Sequence, residues 1–299
     1  MDKFESMRAF TQVVEEGSFA AAARKMQLSR SAVNKLVINL ENQLGVQLLY
    51  RTTRKVTLTD NGRAFYERCI DILSSLEEAE LAVSHQHSEP KGILRINAPM
   101  SFGISFLGAK VAEFMTRYPD VKIILTLEDR FVDPISEGYD IVIRITLPQE
   151  YPSLVAHHIT TFPLVICAAP SYLEAKGIPV KPSELKQHSY LHYGYSTKGC
   201  DWELTNTHNN TVEQVSIDGI FCSNNGEVLR DTAVRGLGII ILPTFIIKDE
   251  LEQGKLKIIL PDYRLPELTL CVIYPVNRHL STKVQLFTQF LQEDKGLSI

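Results

Sequence analysis

Two short apolar stripes at helical spacing stand out near the start of the chain. Each stripe follows a serine, Ser18 or Ser29, whose hydroxyl suits a helix N-cap. Only Gln27 and Leu28 separate the two stretches, which leaves room for a turn and nothing longer. The pattern predicts two helices joined by a tight turn. Their apolar faces are formed by Phe19, Ala22, Ala23 and Met26 in the first helix, and by Val33, Leu36, Leu40 and Leu44 in the second.

The polar face of the second predicted helix carries the side-chain types that recognise nucleic acid. Arg30 and Asn34 lie four residues apart, as do Ser31 and Lys35, so all four project from its first turns. Such groups read base edges and phosphates, and the alanines of the first helix allow a close crossing that braces the second. The pattern favours a helix-turn-helix, with Ser29 also at the contact. The alternative is an ordinary helical hairpin with a solvated polar face.

A basic segment of short β-type runs follows these helices. After Gly45, which suits a helix C-cap, the segment VQLLYRTTRKVTLTDNG mixes β-branched and aromatic residues with Arg51, Arg54 and Lys55. This composition predicts a small hairpin, or wing, with basic residues at its tip. Arg51 and Arg54 are expected to contact phosphates or an adjacent minor groove.

Residues 10–62 resemble the N-terminal domain of LysR-type transcriptional regulators. The resemblance rests on the double alanine, Ser-x-x-Ala-Val, Leu-Glu-x-x-Leu-Gly, Leu-x-x-Arg-x-x-Arg and Leu-Thr within SFAAAARKMQLSRSAVNKLVINLENQLGVQLLYRTTRKVTLTDNG. The chain departs from the common pattern at Arg30-Ser31, Asn34-Lys35 and Tyr50, which affects base preference rather than the helix. The resemblance implies a sequence-specific DNA-binding transcriptional regulator, not an enzyme. It also implies a homodimer or homotetramer whose DNA binding is modulated by a small-molecule effector.

A longer apolar series begins after Thr59. Its members are spaced four and three residues apart in alternation, which predicts a long helix with a narrow heptad seam: Phe65, Cys69, Ile72, Leu76, Ala79 and Val83. Such a seam fits either pairing with a second helix or packing against the chain's own core. The LysR resemblance implies pairing between subunits, and therefore an operator that is an interrupted inverted repeat. The helix is expected to end before Pro90.

The remainder of the chain alternates buried strand-like runs with helical segments, which predicts an α/β sheet. The fold class is therefore α/β overall. The resemblance implies two α/β lobes with a cleft between them, similar to periplasmic solute-binding proteins. Three domains are expected: a winged helix-turn-helix in residues 1–58, a linker and dimerisation helix in 59–89, and an effector-binding domain in 90–299.

The expected effector site lies where strands lead into helices at the cleft. Ser101 is expected to cap one such helix, and Asn224 with Asn225 begins another. Helix N-termini favour negative charge, so a small anion is the natural guest. Phe102 and Tyr193 are expected to supply apolar walls, and Arg144 either pairs a carboxylate or forms a structural salt bridge. The plainer alternative is that Ser101 and Asn224 only cap their helices.

Charge and composition sharpen this picture. The 299 residues carry a net charge of -4, but residues 24–55 carry net +6 and residues 56–299 carry net -8. This asymmetry suggests one part for a polyanion and another for a different task. No apolar run reaches about 18 residues and the N-terminus is charged, so a cytoplasmic protein without membrane association is expected.

Composition and motifs point away from enzymes, metals and cofactors. The five cysteines are odd in number and show no Cys-x-x-Cys spacing, which favours reduced thiols, although a redox pair of Cys200 with Cys222 is conceivable. His157 and His158 are adjacent in a strand-like run and point to opposite faces. RGLGIII lacks the third glycine of a dinucleotide fingerprint, and GYSTKG is neither a P-loop nor a nucleophile elbow. No catalytic residue, metal or cofactor is expected.

Overall fold

The structure is a computed structural model that describes residues 2–51, 56–84, 90–149, 154–198, 200–276 and 281–294. The chain divides into two compact units. The N-terminal unit comprises Met1–Gly92 with Leu280–Thr282, and the C-terminal unit comprises Ile93–His279 with Lys283–Ile299. No helix in the described part of the chain combines the length and apolar character needed to cross a bilayer.

The N-terminal unit is a helix-turn-helix followed by a two-stranded wing and a long helix. Strands β1 and β2 pair antiparallel, with Leu49 opposite Leu58. The elements are α1 (Lys3–Glu16), α2 (Phe19–Lys25), α3 (Arg30–Leu44), β1 (Leu49–Arg51), β2 (Val56–Leu58) and α4 (Asp60–Ser84). The predicted winged helix-turn-helix fold is therefore confirmed.

Local capping chemistry sets the boundaries of these helices. The Ser18 hydroxyl accepts a hydrogen bond from the Ala21 amide, and the Ser29 hydroxyl accepts one from the Ala32 amide, each at 3.1 Å. Gln27, in the turn, has a φ of 55°, and Gly45 ends α3 with a φ of 71°. Both serine caps and the glycine C-cap agree with the sequence prediction.

The core of the N-terminal unit forms between α1, α2 and α3. Phe10, Ala22, Val33 and Leu40 are fully buried there, and Leu36 is nearly so. Because alanine projects only a methyl group, the α2 backbone can lie close to α3, as the alanine-rich stretch predicted. This packing holds α3 against two other helices and leaves its opposite face to solvent.

Helix α4 uses part of its apolar seam inside the N-terminal unit. Phe65 and Cys69 pack into the core of that unit, and Cys69 is fully buried. Of the two alternatives for the seam, packing on the chain's own core therefore holds at these two positions. Ile72 is 40% exposed and remains accessible. The predicted helix end before Pro90 falls partly in residues 85–89, outside the described residues.

The C-terminal unit contains thirteen strands among its described residues. In chain order they are β3 (Gly92–Ala98), β4 (Val121–Leu127), β5 (Ile141–Thr146), β6 (Leu154–Phe162), β7 (Leu164–Ala168), β8 (Tyr190–Tyr193), β9 (Cys200–Asn206), β10 (Val212–Ile217), β11 (Gly219–Ser223), β12 (Ile239–Pro243), β13 (Lys257–Ile258), β14 (Tyr263–Arg264) and β15 (Leu268–Pro275). They form two five-stranded sheets, one in lobe I (β3–β6 and β15) and one in lobe II (β7, β8 and β11–β13), with a smaller sheet (β9, β10 and β14) beside the sheet of lobe II.

Helices cover both sheets. They are α5 (Met100–Phe102), which continues as a π-helical segment (Gly103–Leu107) into α6 (Gly108–Arg117), then α7 (Pro134–Glu137), α8 (Pro170–Lys176), a 3₁₀ segment (Pro182–Gln187), α9 (Gly226–Val234), α10 (Thr244–Glu252) and α11 (Thr282–Gln292). Lobe I has the strand order β4-β3-β5-β15-β6 and packs Phe102, Phe114 and Phe287 in its core. Lobe II has the order β11-β8-β12-β7-β13, and the small sheet the order β10-β9-β14.

Two helix caps in this unit differ from the sequence prediction. Ser101 does not cap its helix: Pro99 occupies the N-cap position, without a side-chain hydrogen bond, and Ser101 lies in the first turn. Proline at 99 already fixes the extended φ that an N-cap needs, so the helix begins two residues earlier than predicted. At α9 the cap is Asn225, whose side chain accepts from the Val228 amide at 3.0 Å, and Asn224 precedes it.

Candidate functional site

The predicted reading face of α3 is open to solvent within the N-terminal unit. Arg30, Ser31 and Lys35 are exposed and Asn34 is partly buried, whereas Val33 on the opposite side is fully buried. The Ser29 hydroxyl caps the helix and lies 2.9 Å from the Ser31 hydroxyl. The first two turns of α3 therefore present a polar ridge whose backbone is fixed by its cap.

A buried acid that the site prediction did not single out fixes the wing to α3. Glu41 Oε1 accepts hydrogen bonds from the Leu48 amide at 2.9 Å and from the Leu49 amide at 3.2 Å. Glu41 is only 6% exposed. Its spacing of four from Val37 and eight from Val33 places it on the buried face of α3, and this spacing was the signal that could have identified it.

The start of α4 is also bound to the wing. The Thr59 hydroxyl donates to the Gln47 carbonyl at 2.8 Å and accepts from the Gly62 amide at 2.9 Å. A Cβ at Gly62 would lie 1.9 Å from the Leu48 carbonyl oxygen, so only glycine allows this approach. The helix, the wing and α3 consequently form one continuous hydrogen-bonded and packed body.

The two arginines assigned to the wing are described to different extents. Arg51 lies in β1 with its backbone paired to Val56. Arg54 belongs to residues 52–55, which lie outside the described residues. Tyr50, which precedes Arg51 in β1, is 55% exposed.

In the C-terminal unit a cavity of about 420 Å³ lies between the two lobes. Its volume is in the range of small-molecule sites, and most of its walls are apolar. Four of the five predicted effector residues line it: Ser101, Phe102, Arg144 and Tyr193. Further walls come from Asp129, Phe131, Trp202 and Phe245, among others. Asn224 does not line it, and its side-chain amide donates to the Tyr195 hydroxyl at 3.4 Å.

Arg144 is oriented by lobe I at the polar end of the cavity. Its guanidinium donates to Asn97 Oδ1 at 2.7 Å, to the Ile143 carbonyl at 2.6 Å and to the Arg130 carbonyl at 3.0 Å. Asn97 is fully buried and donates in turn to Glu128 at 2.9 Å. The acceptors on Arg144 named here are neutral, so they direct the guanidinium without cancelling its charge.

Asp129 is an acid at this end of the cavity that sequence reasoning missed. Its Oδ1 accepts from the Met100 amide at 3.2 Å, and the nearby Tyr193 hydroxyl also favours the ionised carboxylate and lowers its pKa. Burial raises the pKa of Asp129, an effect that the Met100 amide and the positive charge of Arg144 oppose. Burial and the negative charge of Asp129 raise the pKa of Tyr193.

A second acid connects the two lobes beside the cavity. The Ser101 hydroxyl donates to Glu227 Oε2 at 2.6 Å, and Glu227 stands in the first turn of α9. The two residues are 126 positions apart in sequence, so no local pattern indicated the contact. Ser101 therefore faces the cavity with a hydroxyl that already has a partner on the opposite lobe.

Comparison with known proteins identifies both units. The model of the bacterial regulatory helix-turn-helix protein, lysR family, matches residues 4–63, and that of the LysR substrate binding domain matches residues 87–296. An HTH-type transcriptional regulator from Haemophilus influenzae is 37% identical over 95% of this chain and 98% of its own length.

Two solved structures have the same architecture over nearly the whole chain. The full-length virulence activator AphB of Vibrio cholerae, a member of the LTTR family, is 28% identical with a TM-score of 0.60, covering 98% of this chain and 99% of that one. The LysR-type regulator CrgA of Neisseria meningitidis is 29% identical with a TM-score of 0.59, covering 97% of each chain. These relatives are transcriptional regulators and not enzymes. The chain thus belongs to the LysR-type transcriptional regulators, which bind DNA through a helix-turn-helix and carry an effector-binding domain.

Proposed function

We propose that this regulator binds an interrupted inverted repeat as a homodimer or homotetramer and responds to a small anionic metabolite in the cavity between its lobes. Because a bacterial transcriptional regulator acts on chromosomal DNA, we assign it to the cytoplasm. In this proposal residues 1–58 read DNA, residues 59–89 pair subunits, and residues 90–299 hold the effector.

The observation that carries the DNA-reading half is the exposed polar ridge on a capped, well-packed helix. Ser29, Arg30, Ser31, Asn34 and Lys35 are assigned to the major groove, and Arg51 and Arg54 to the DNA backbone. Arginine and asparagine make bidentate contacts to guanine and adenine, so Arg30 and Asn34 are expected to carry most base preference.

The experiment is selection of bound sequences from a random DNA pool by the purified full chain. An enriched interrupted palindrome is expected, and no enrichment would contradict the proposal. Repeating the selection with Arg30→Ala should relax preference at one position in each half-site, at a cost of roughly 1–3 kcal/mol for the preferred base. Arg54→Ala should weaken all sequences alike. If both variants lose affinity uniformly, the assignment of base reading to Arg30 is wrong.

The effector half of the proposal rests on Arg144. Its guanidinium lines an otherwise mostly apolar cavity and is held in place by neutral oxygens, which suits a carboxylate or similar anion on an apolar body. Ser101 and Tyr193 add hydroxyl groups and Phe102 an aromatic wall. Asn224 stays in the proposal only as a neighbour of the α9 cap, since it lies off the cavity. A thermal-shift screen should find small organic acids that stabilise the chain, and Arg144→Ala should abolish their effect.

A further inference from the structure

The polar end of the cavity already contains an anion of its own. Asp129 and Arg144 are the one acid and the one cation among the described residues that line the cavity. The positive charge of Arg144 acts on Asp129 and lowers its pKa against the larger effect of burial. Part of the positive charge that would attract an anionic effector is therefore balanced by Asp129 before the effector arrives.

A second carboxylate makes this end of the cavity still less favourable for an added anion. Glu227, held from the opposite lobe by the Ser101 hydroxyl at 2.6 Å, acts on Asp129 and raises its pKa. An ionised guest beside Arg144 would share the site with both carboxylates. Close carboxylates do not all stay ionised, and one of them takes up a proton instead.

We propose that Asp129 determines the charge selectivity of the cavity, so that an acidic effector binds together with one proton shared between its carboxylate and that of Asp129. This inference rests on the proposed anionic effector. The proton comes from solvent, and the only bond formed is the O–H bond of the protonated carboxyl group. Once neutral, Asp129 can donate to an oxygen of the guest while its other oxygen still accepts from the Met100 amide, and Arg144 becomes the counter-ion of the guest.

The surroundings of Asp129 favour it as the proton acceptor. Burial has already raised its pKa, so protonation at neutral pH requires less free energy than for an exposed aspartate. The charged and titratable groups that act on it are Arg144, Glu227 and Tyr193. Tyr193 has its own pKa raised and stays a neutral donor through this pH range. Arg130, the next residue, is engaged by Glu128 and Glu137.

The proposal predicts a specific pH dependence. If one proton enters with each anion, affinity for the anion should rise about tenfold for each unit by which the pH falls, as long as Asp129 is ionised in the free protein. Asp129→Asn keeps an oxygen that accepts from the Met100 amide and removes the charge. We therefore expect this variant to bind the same anion at least about tenfold more tightly near pH 7.5, with no pH dependence.

The test is calorimetric titration of the full chain with benzoate, which stays ionised from about pH 5.5 to 8. Its neutral isostere benzamide is titrated in parallel. Each titration is run in two buffers of different ionisation enthalpy, so that proton uptake is measured directly. The expected uptake is about one proton per benzoate for the wild type and about zero for Asp129→Asn. Asp120→Asn, which removes the same charge at an exposed position outside the cavity, should behave as the wild type does.

The outcomes separate this inference from the proposed function. If the wild type binds benzoate without proton uptake, or if Asp129→Asn binds benzoate no more tightly than the wild type does, the role of Asp129 is overturned. The proposal of an anionic effector is not affected by that result. Binding of benzoate by neither protein at any pH overturns the anionic effector and this inference together, most clearly if benzamide still binds. Should Asp129→Asn fail to fold, the proton uptake of the wild type decides alone.

Discussion

Removal of the buried carboxylate of Glu41 tests whether α3 and the wing form one body. Leu48 and Leu49 are 1% and 2% exposed, so their amides have no access to water when Glu41→Ala removes their common acceptor. Each buried donor left without a partner costs about 1–3 kcal/mol. The sum for the two amides, roughly 2–6 kcal/mol, is a large part of the stability of an ordinary domain. We therefore expect the wing to detach or the whole N-terminal unit to become marginal.

Glu41→Gln provides the matched comparison, because its amide oxygen can still accept from both amides. It loses only the charge assistance of the two bonds, about 1 kcal/mol. Hydrogen exchange of the full chain measures the effect at the Leu48 and Leu49 amides, and the single tryptophan, Trp202, reports separately on the C-terminal unit. The expected order of exchange rates is wild type slowest, then Gln, then Ala. Unchanged protection of these amides in Glu41→Ala would refute the role assigned to the carboxylate.

Two further substitutions test close packing and buried charge. Gly62→Ala places a Cβ 1.9 Å from the Leu48 carbonyl oxygen, a backbone atom that cannot move at low energetic cost, so the free energy of unfolding of the N-terminal unit should fall by about 1–3 kcal/mol in a thermal unfolding experiment. Gly108→Ala, whose nearest contact is at 3.4 Å, should be tolerated. Equal effects of the two substitutions would contradict the close approach at Gly62. The pKa of Asp129 is higher in the folded than in the unfolded protein. Above its folded pKa the ionised carboxylate therefore lowers the free energy of unfolding, and below its unfolded pKa this destabilisation is absent. Asp129→Asn should therefore raise the melting temperature near pH 8, with the gain disappearing as the pH falls towards about 4; a pH-independent difference would count against the raised pKa.

Features fixed by neighbouring residues were predictable from the sequence. Ser18, Ser29 and Gly45 act on amides and carbonyls within five residues, and each works as its residue type and position indicated. The buried strands of the C-terminal unit were equally readable as apolar runs bounded by turn residues. In both cases the information lies within a short window of the chain.

The polar end of the cavity could be predicted only in part, because its contacts join distant segments. Ser101 was placed at the cleft correctly but with the wrong role, since its hydroxyl binds Glu227 on the other lobe rather than its own helix. Asp129 was missed although it lies two residues past the end of β4, at the kind of strand end where Ser101 was found. Ser101 was selected as a residue at the start of a helix, whereas the helix after β4 begins only at Pro134, so the same rule did not reach Asp129.

The seam of α4 shows why a heptad pattern alone does not assign a partner. Phe65 and Cys69 satisfy the heptad but pack into the core of the N-terminal unit, where Phe65 contacts Phe10 of α1, while Ile72, one step further, is exposed. A pattern records which face is apolar and not what covers it. The packing of part of the α4 seam into the core also couples α4 to the rest of the N-terminal unit. Since α4 is packed into the same core as α3 and Thr59 binds its start to the residues that lead into the wing, we expect a reorientation of α4 to move α3 with it.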